Sequence, residues 1–368
     1  MLRTFDARRT RPVLLGTASV ICALALLGSL ALPRRAQAGA PGRLRIVASV
    51  GPTSGTVEVL QRLLVQGADL FRFNLAHKDR RISLRETQAA RAAVARVGRQ
   101  DVALLFDLPG GKLRTGPAPA GGELTLREGD AFALTFGGRA GATTRDGASV
   151  DYARLDRYAQ VGGRVLLHQG KLELEITAVA PGRIETRVVR GGVLRGHATV
   201  NLVGQDPRFP AMTAQDRRKL KIAVECGADL VGVSMVQTPS QMRAVRRALV
   251  RLGAPRVRLV SKIETLSALE HLEAIVDESD LAMIARGDLA TAVGTKEALT
   301  AAERRIAEVC RRKGKAFFDA TGFEGPDAAA EVARARALGS SYIILKNTAI
   351  DADPASLVSR LRALLTRK

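Results

Sequence analysis

The chain contains no tryptophan, and aromatic residues make up only 4% of its 368 residues. Proteins that stack on nucleic-acid bases interleave aromatic platforms with basic residues. Their scarcity argues against a nucleic-acid partner despite a formal charge of +21. That charge is spread thinly: arginine supplies 46 of the 57 basic residues, and there is no long Lys/Arg run. It suits an electropositive mouth that attracts phosphorylated metabolites. Cysteine is equally sparse. Cys22, Cys226 and Cys310 stand alone, without metal-ligand spacing and too isolated for a disulfide framework. His77, His168, His197 and His271 are too scattered for a zinc cluster.

What is present begins with a separate N-terminal segment. Arg3, Arg8, Arg9 and Arg11 precede an apolar run over residues 13–32, followed by Pro33-Arg-Arg-Ala-Gln-Ala38. Basic end, hydrophobic stretch and Ala-x-Ala follow the order of a secretory signal, and the run is also long enough to span a bilayer as an uncleaved anchor. Residues 1–38 are therefore expected to be a signal peptide or membrane anchor, the only membrane contact being through residues 13–32. A mis-called start codon is the alternative, and would make the protein cytoplasmic.

From Arg43 onward, strand-like and helix-like patterns alternate. Strands are predicted over residues 45–50, 69–74, 102–108, 229–235, 257–263, 280–284, 315–320 and 341–346. Helices are predicted over 57–66, 84–96, 214–226, 241–252, 296–312, 327–338 and 354–365. Eight strands alternating with helices predict an α/β fold of the (β/α)8 TIM-barrel type. Residues 116–210 break the rhythm with short alternating runs punctuated by Gly and Pro. They read as an all-β lid domain, a small β-barrel inserted after strand 3, with residues 43–115 and 211–368 forming the barrel. An insertion at the C-terminal face of a barrel overhangs the active site.

Two charged clusters close predicted strands. Lys262 and Glu264 lie in Ser261-Lys-Ile-Glu264, and Asp288 lies in the Ala285-Arg-Gly-Asp288 turn. A lysine beside two carboxylates on neighbouring strand ends can hold a divalent cation and the anion it chelates. The carboxylates supply hard oxygens, and the ammonium neutralises a phosphate or enolate. A buried salt bridge is the ordinary alternative for a lone Lys-x-Glu; the adjoining Arg-Gly-Asp favours a site.

The order of motifs resembles the pyruvate kinase family from about Arg43 to the end. Residues 46–52 look like its first strand, and Arg72-Phe-Asn-Leu-Ala-His77 is similar to its second-strand motif. Asp107-Leu-Pro-Gly-Gly-Lys-Leu-Arg-Thr-Gly116 resembles the segment leading into the lid. Ser261-Lys-Ile-Glu264, Ala285-Arg-Gly-Asp-Leu289 and Ala320-Thr321 follow in the right order. The resemblance covers the barrel and inserted β-domain but not the family's C-terminal domain.

The resemblance implies Mg²⁺ (or Mn²⁺) on Glu264 and Asp288, phosphoenolpyruvate/pyruvate and ADP/ATP as ligands, and a homo-oligomer assembled through the barrel. It makes Lys262 the stabiliser of the phosphoryl group in flight, gives the substrate phosphate to Arg72 and Ser234, and gives the carboxylate to the backbone of Gly287 and Asp288. Thr321 belongs to the proton route and to substrate binding, while Asn74, His77 and Arg114 face the nucleotide.

Departures carry as much information. The family's serine in the second-strand motif is Ala76, and the glutamate of the potassium-dependent branch is Lys112. An ammonium there can stand in for the monovalent cation, so K⁺ is expected not to be required. The lid's paired aspartates are His168-Gln169, a basic residue expected before Val200-Asn201 is Ala198, and Gly-x-Glu after Leu289 is Ala290-Thr-Ala292. Gln-Met after the threonine is Gly322-Phe323, and the segment after strand 8 is Lys346-Asn-Thr348. The phosphoenolpyruvate half of the site is nearly intact and the nucleotide half is eroded. Three functions fit: a compact pyruvate kinase, a metal-dependent enolpyruvate lyase or aldolase, and an exported or anchored pseudoenzyme that binds a phosphorylated ligand.

Overall fold

A computed structural model describes residues 43–119, 122–138, 141, 143–320, 323 and 325–366, excepting the side chain of His77. The expected signal or anchor segment (residues 1–38) and Thr321 lie outside the described residues. Among those described, no helix is long and apolar enough to cross a membrane.

Eight parallel strands close into a barrel: β1 (Arg45–Val50), β2 (Ala68–Asn74), β3 (Ala103–Asp107), β4 (Leu230–Val233), β5 (Arg258–Ile263), β6 (Leu281–Ile284), β7 (Phe317–Asp319) and β8 (Tyr342–Leu345). Each lies beside its neighbour in sequence, and β8 pairs with β1 to complete the ring. Both faces of the ring are covered, which is why these strands read as near-continuous apolar runs. Val47, Leu70, Leu105, Leu230, Val260, Leu281, Phe318 and Tyr342 fill the interior. Residues one position away, such as Ile46, Phe71, Leu104, Val231 and Leu259, pack outward against the helices.

Local chemistry starts and stops the helices. Thr213 and Asp216 form a capping box on helix Ala214–Glu225, Gln241 Oε1 accepts the Thr238 N–H at the start of Pro239–Arg251, and Gly98 in the left-handed region ends Arg80–Val97. Three short helices escape the sequence pattern: Leu266–Glu270, Leu272–Asp277 and Arg286–Val293. The last corrects the reading of Ala285-Arg-Gly-Asp288 as a turn, since Arg286, Gly287 and Asp288 form the first turn of a helix.

Between β3 and the helix Ala214–Glu225 runs an all-β excursion. Its strands form one six-stranded sheet and one two-stranded sheet, the latter pairing Gly192–Arg195 with Glu123–Leu126. Among the described residues these do not close as the expected single β-barrel, because two separate hydrogen-bonded sheets share one apolar core built from Leu126, Phe132, Leu134, Leu174, Ile184 and Leu194. The hairpin joining Arg164–Leu167 to Leu172–Ala180 turns through His168 and Gln169, at φ of 51° and 58°. That geometry is usual for glycine or asparagine at a tight hairpin, and it carries both side chains to the rim of the barrel mouth.

Candidate active site

The two-residue period that packs the barrel interior also builds its mouth. Leu70 is followed on the inner face by Arg72 and Asn74, Ala103 and Leu105 by Asp107, and Leu230 by Gly232 and Ser234. Val260 is followed by Lys262 and Glu264, and Tyr342 and Ile344 by Lys346. Where apolar side chains end at the C-terminal edge, charged ones begin. They open on a cleft of about 750 Å³ that also reaches the tip of the His168–Gln169 turn. Seven cationic side chains line it (Arg72, Lys78, Lys112, Arg114, Arg195, Lys262 and Lys346) against two lining carboxylates, Glu264 and Asp288, although Asp107 lies beneath Arg72 and Lys262, and Lys78 and Arg195 pair with Glu86 and Glu123. The cleft therefore favours anions.

At its floor, Lys262 Nζ donates to Ser234 Oγ at 2.7 Å and lies 3.7 Å from both Asp107 Oδ2 and Glu264 Oε2. Arg72 is held in place by Nε donating to Asp107 Oδ2 at 2.9 Å, with Nη2 in an ion pair 2.7 Å from the same oxygen, while Nη1 donates to Ser49 Oγ at 3.1 Å. Asp107 itself has little freedom. A Cβ on Gly232, its register partner on β4, would come 2.3 Å from Asp107 Oδ1, so only glycine admits the carboxylate there. Burial pushes the Asp107 carboxyl up, but Arg72 and then Lys262 outweigh it and hold it below the usual range.

Glu264 is buried. Its Oε1 accepts the Met235 N–H at 2.6 Å, and Met235 adopts an uncommon φ of 54° beside the cleft floor. Its Oε2 has no hydrogen-bond partner. Burial raises the Glu264 carboxyl, and the adjoining Asp288 adds to the rise, against Lys262 and Lys112. Asp288 responds in the other direction. Burial would raise it, but the Lys112 ammonium, 2.7 Å from its Oδ2, brings it down to about 2. Lys112 is raised in turn: burial opposes its charge, and Glu264 and Asp288 more than restore it.

A buried carboxylate oxygen with no hydrogen-bond partner, 3.7 Å from the Lys262 ammonium and beside the ionised Asp288, fits a hard divalent cation such as Mg²⁺ or Mn²⁺. Among the described residues no three His, Cys, Asp or Glu side chains could hold a metal by themselves. A cation at this pair would need oxygen ligands beyond these two carboxylates. Gly287 and Asp288 lie in the first turn of helix Arg286–Val293, where backbone N–H groups lack an intrahelical acceptor and favour an anion.

Lys262, Glu264, Asp288, Arg72, Ser234, Gly287 and Lys112 thus converge on one cleft. Asn74 and Arg114 line the same cleft, with Asn74 Oδ1 accepting the Ala76 N–H at 3.1 Å and Arg114 Nη1 donating to the His197 carbonyl at 2.9 Å. His77 ends the short turn Leu75–His77. Arg286, by contrast, points away to Glu303 and Glu331, at 3.0 and 2.6 Å. Asp107 and Lys346 belong to the site beyond the residues that the motifs mark. Their signal was positional: each continues the inner-face period of its strand by one step.

A closed (β/α)8 barrel with a cationic, carboxylate-bearing cleft beneath an all-β excursion defines the class. The family described as "Pyruvate kinase, barrel domain" matches residues 42–335, and this chain belongs to the pyruvate kinase family. It is 34% identical over 279 residues to a pyruvate kinase of Methylorubrum extorquens, covering 76% of this chain and 56% of that protein. It is 32% identical over 287 residues to human pyruvate kinase PKLR, covering 75% and 49%. With the pyruvate kinase of Geobacillus stearothermophilus it shares 30% over 281 residues, covering 76% and 47%. The match therefore spans about half the length of these curated relatives.

Proposed function

We propose that the cleft transfers a phosphoryl group from phosphoenolpyruvate to ADP, giving pyruvate and ATP, and that it requires Mg²⁺ (or Mn²⁺) but not K⁺. The observation that carries this reading is the buried Oε2 of Glu264, which has no hydrogen-bond partner, beside Asp288 in a cleft lined by Arg72 and Lys262. Glu264 and Asp288 would hold the metal, whose chemistry is Lewis-acid polarisation of substrate oxygens. Arg72 and Ser234 bind the phosphate, and the N–H groups of Gly287 and Asp288 bind the carboxylate. Lys262, held by Ser234 at 2.7 Å, stabilises the phosphoryl group as its bond to the enol oxygen breaks, and then the enolate left behind. The phosphoryl group passes to a β-phosphate oxygen of ADP, and the enolate takes a proton at its methylene carbon by a route that includes Thr321. The Lys112 ammonium supplies the positive charge that K⁺ would otherwise bring, consistent with Ala76 offering no cation ligand. The reading also includes a homo-oligomer built through the barrel, and export or anchoring by residues 1–38.

One observation favours a second reading. Asn74 Oδ1 is taken by the Ala76 N–H and Arg114 Nη1 by the His197 carbonyl, which leaves fewer polar groups for a nucleotide on that side of the cleft. The protein would then be a pseudoenzyme holding a phosphorylated ligand, or an enolpyruvate lyase or aldolase that needs no ADP. Calorimetric titration of the full chain with oxalate, with and without Mg²⁺, and separately with Mg-ADP, distinguishes them. Phosphoryl transfer requires both ligands to bind. Oxalate binding without ADP binding supports the second reading, and failure of Mg-oxalate to bind removes both.

A further inference from the structure

Away from the cleft, on the outer wall of the barrel, helices Ala214–Glu225 and Pro239–Arg251 flank a groove of about 280 Å³. Its apolar lining comes from Met212, Leu220, Ala244, Ala248 and Leu252, and it shares no lining residue with the cleft. Arg217 and Lys221 edge one side, Arg247 and Arg251 the other. Each pair is four residues apart, so the cations on either edge stand about 6 Å apart along the helix.

Among the described residues, none of the four forms an ion pair; Arg217 is steadied by Nη1 donating to the Met212 carbonyl at 2.9 Å. Their neighbours on the same helix are neutralised: Arg243 pairs with Glu278 at 2.9 Å and Arg246 with Asp280 at 2.6 Å. The only carboxylates of the two helices are occupied, Asp216 in the Thr213 capping box and Glu225 by Arg80. Like charges one turn apart destabilise a helix. An uncompensated double row beside an apolar recess is the complement of a ligand with two acidic edges and an apolar ridge.

We propose that this groove docks an acidic amphipathic helix of a partner protein. Its apolar side chains, at positions i and i+4, would enter the recess, and its Asp or Glu side chains one turn apart would meet the cationic rows. A phosphodiester backbone offers nothing to the apolar floor, and a flat bilayer reaches the arginine tips but not the recess between the helices.

Fluorescence anisotropy on the full chain provides the test. The probe is a labelled synthetic peptide about four turns long, with leucines on one face and glutamates in i, i+4 pairs on both flanks. The comparison is a scrambled peptide of the same composition. The groove-directed peptide binds more tightly than its scramble. Arg247→Glu with Arg251→Glu weakens it about tenfold, the scale of losing two exposed charge pairs and adding repulsion. Arg304→Glu with Arg305→Glu, exposed on helix Lys296–Arg312, removes the same charge elsewhere and leaves binding unchanged. Equal binding of the scramble, equal weakening by the control pair, or no binding of the peptide overturns the proposal. So does groove-dependent binding of phosphatidylserine vesicles or duplex DNA in place of the peptide. Circular dichroism of each variant confirms that the charge reversals leave the fold intact.

Discussion

Removing the Lys112 ammonium should move two affinities in opposite directions. Its Nζ donates to Asp288 Oδ2 at 2.7 Å, and both side chains are only about one-fifth exposed. At an effective dielectric constant of about 20 the direct attraction is about 6 kcal/mol. Desolvation of both charges offsets most of it, leaving about 1.5–3 kcal/mol for a charge-assisted hydrogen bond. A divalent cation arriving at Glu264 and Asp288 must share or displace that bond. Lys112→Met should therefore tighten Mn²⁺ binding to the ligand-free protein about ten- to hundredfold. The same change removes a cation from a cleft that binds an anion, so oxalate at saturating Mn²⁺ should bind about tenfold more weakly. Electron paramagnetic resonance of free Mn²⁺ gives the first affinity and calorimetry the second. Unchanged or weaker Mn²⁺ binding in Lys112→Met would mean that the lysine does not compete for the metal carboxylate, and the reasoning fails.

Three further outcomes follow. Lys262→Met keeps the side-chain volume and removes the charge, so turnover should fall at least about 10²-fold with unchanged far-ultraviolet circular dichroism; wild-type turnover would refute its role. Replacing K⁺ by tetramethylammonium at constant ionic strength should change the wild-type rate by less than about twofold, because Lys112 carries the charge locally. Lys112→Glu should impair the rate, and K⁺ should restore only part of it, since Ala76 contributes no oxygen. The third outcome concerns acid stability. The Asp288 pKa lies at about 2 in the fold against an ordinary 3.8. Its contribution to stability is therefore complete above about pH 4 and is lost as pH falls towards 2, amounting to about 2 kcal/mol at 1.36 kcal/mol per unit. Urea unfolding of Asp288→Asn beside wild type should show this difference shrinking over that interval; a constant difference would contradict the Lys112 pairing.

Much of the barrel was legible because its strands are buried on both faces. Apolar runs ending in Arg72, Lys262-Ile-Glu264 and Asp288 could be placed at strand ends without any contact information. Asp107 shows where that reading stops. Its position one step beyond Ala103 and Leu105 on the inner face was in the sequence, yet its importance lies in Arg72, 35 residues away, and in Gly232 across the sheet. Lys346 was visible only as a departure after the last strand, and its place in the cleft follows from Tyr342 and Ile344 preceding it on the inner face. The helix Arg286–Val293 carries no side-chain cap hydrogen bond at its N-terminus, so nothing local distinguished it from a turn. What orients Arg286 is a pair of distant glutamates, Glu303 and Glu331. In the excursion, strands Gly147–Ser149 and Val200–Leu202 are three residues long, too short for alternation to register.

The most direct test of phosphoryl transfer is ³¹P nuclear magnetic resonance on the full chain with phosphoenolpyruvate, ADP and Mg²⁺, in tetramethylammonium buffer without K⁺. Phosphoryl transfer predicts loss of the phosphoenolpyruvate resonance with equal gain of ATP γ-phosphate, both at least about 10²-fold slower in Lys262→Met. A phosphoenolpyruvate resonance that persists at high protein concentration, while Mg²⁺ and oxalate bind normally, would contradict it.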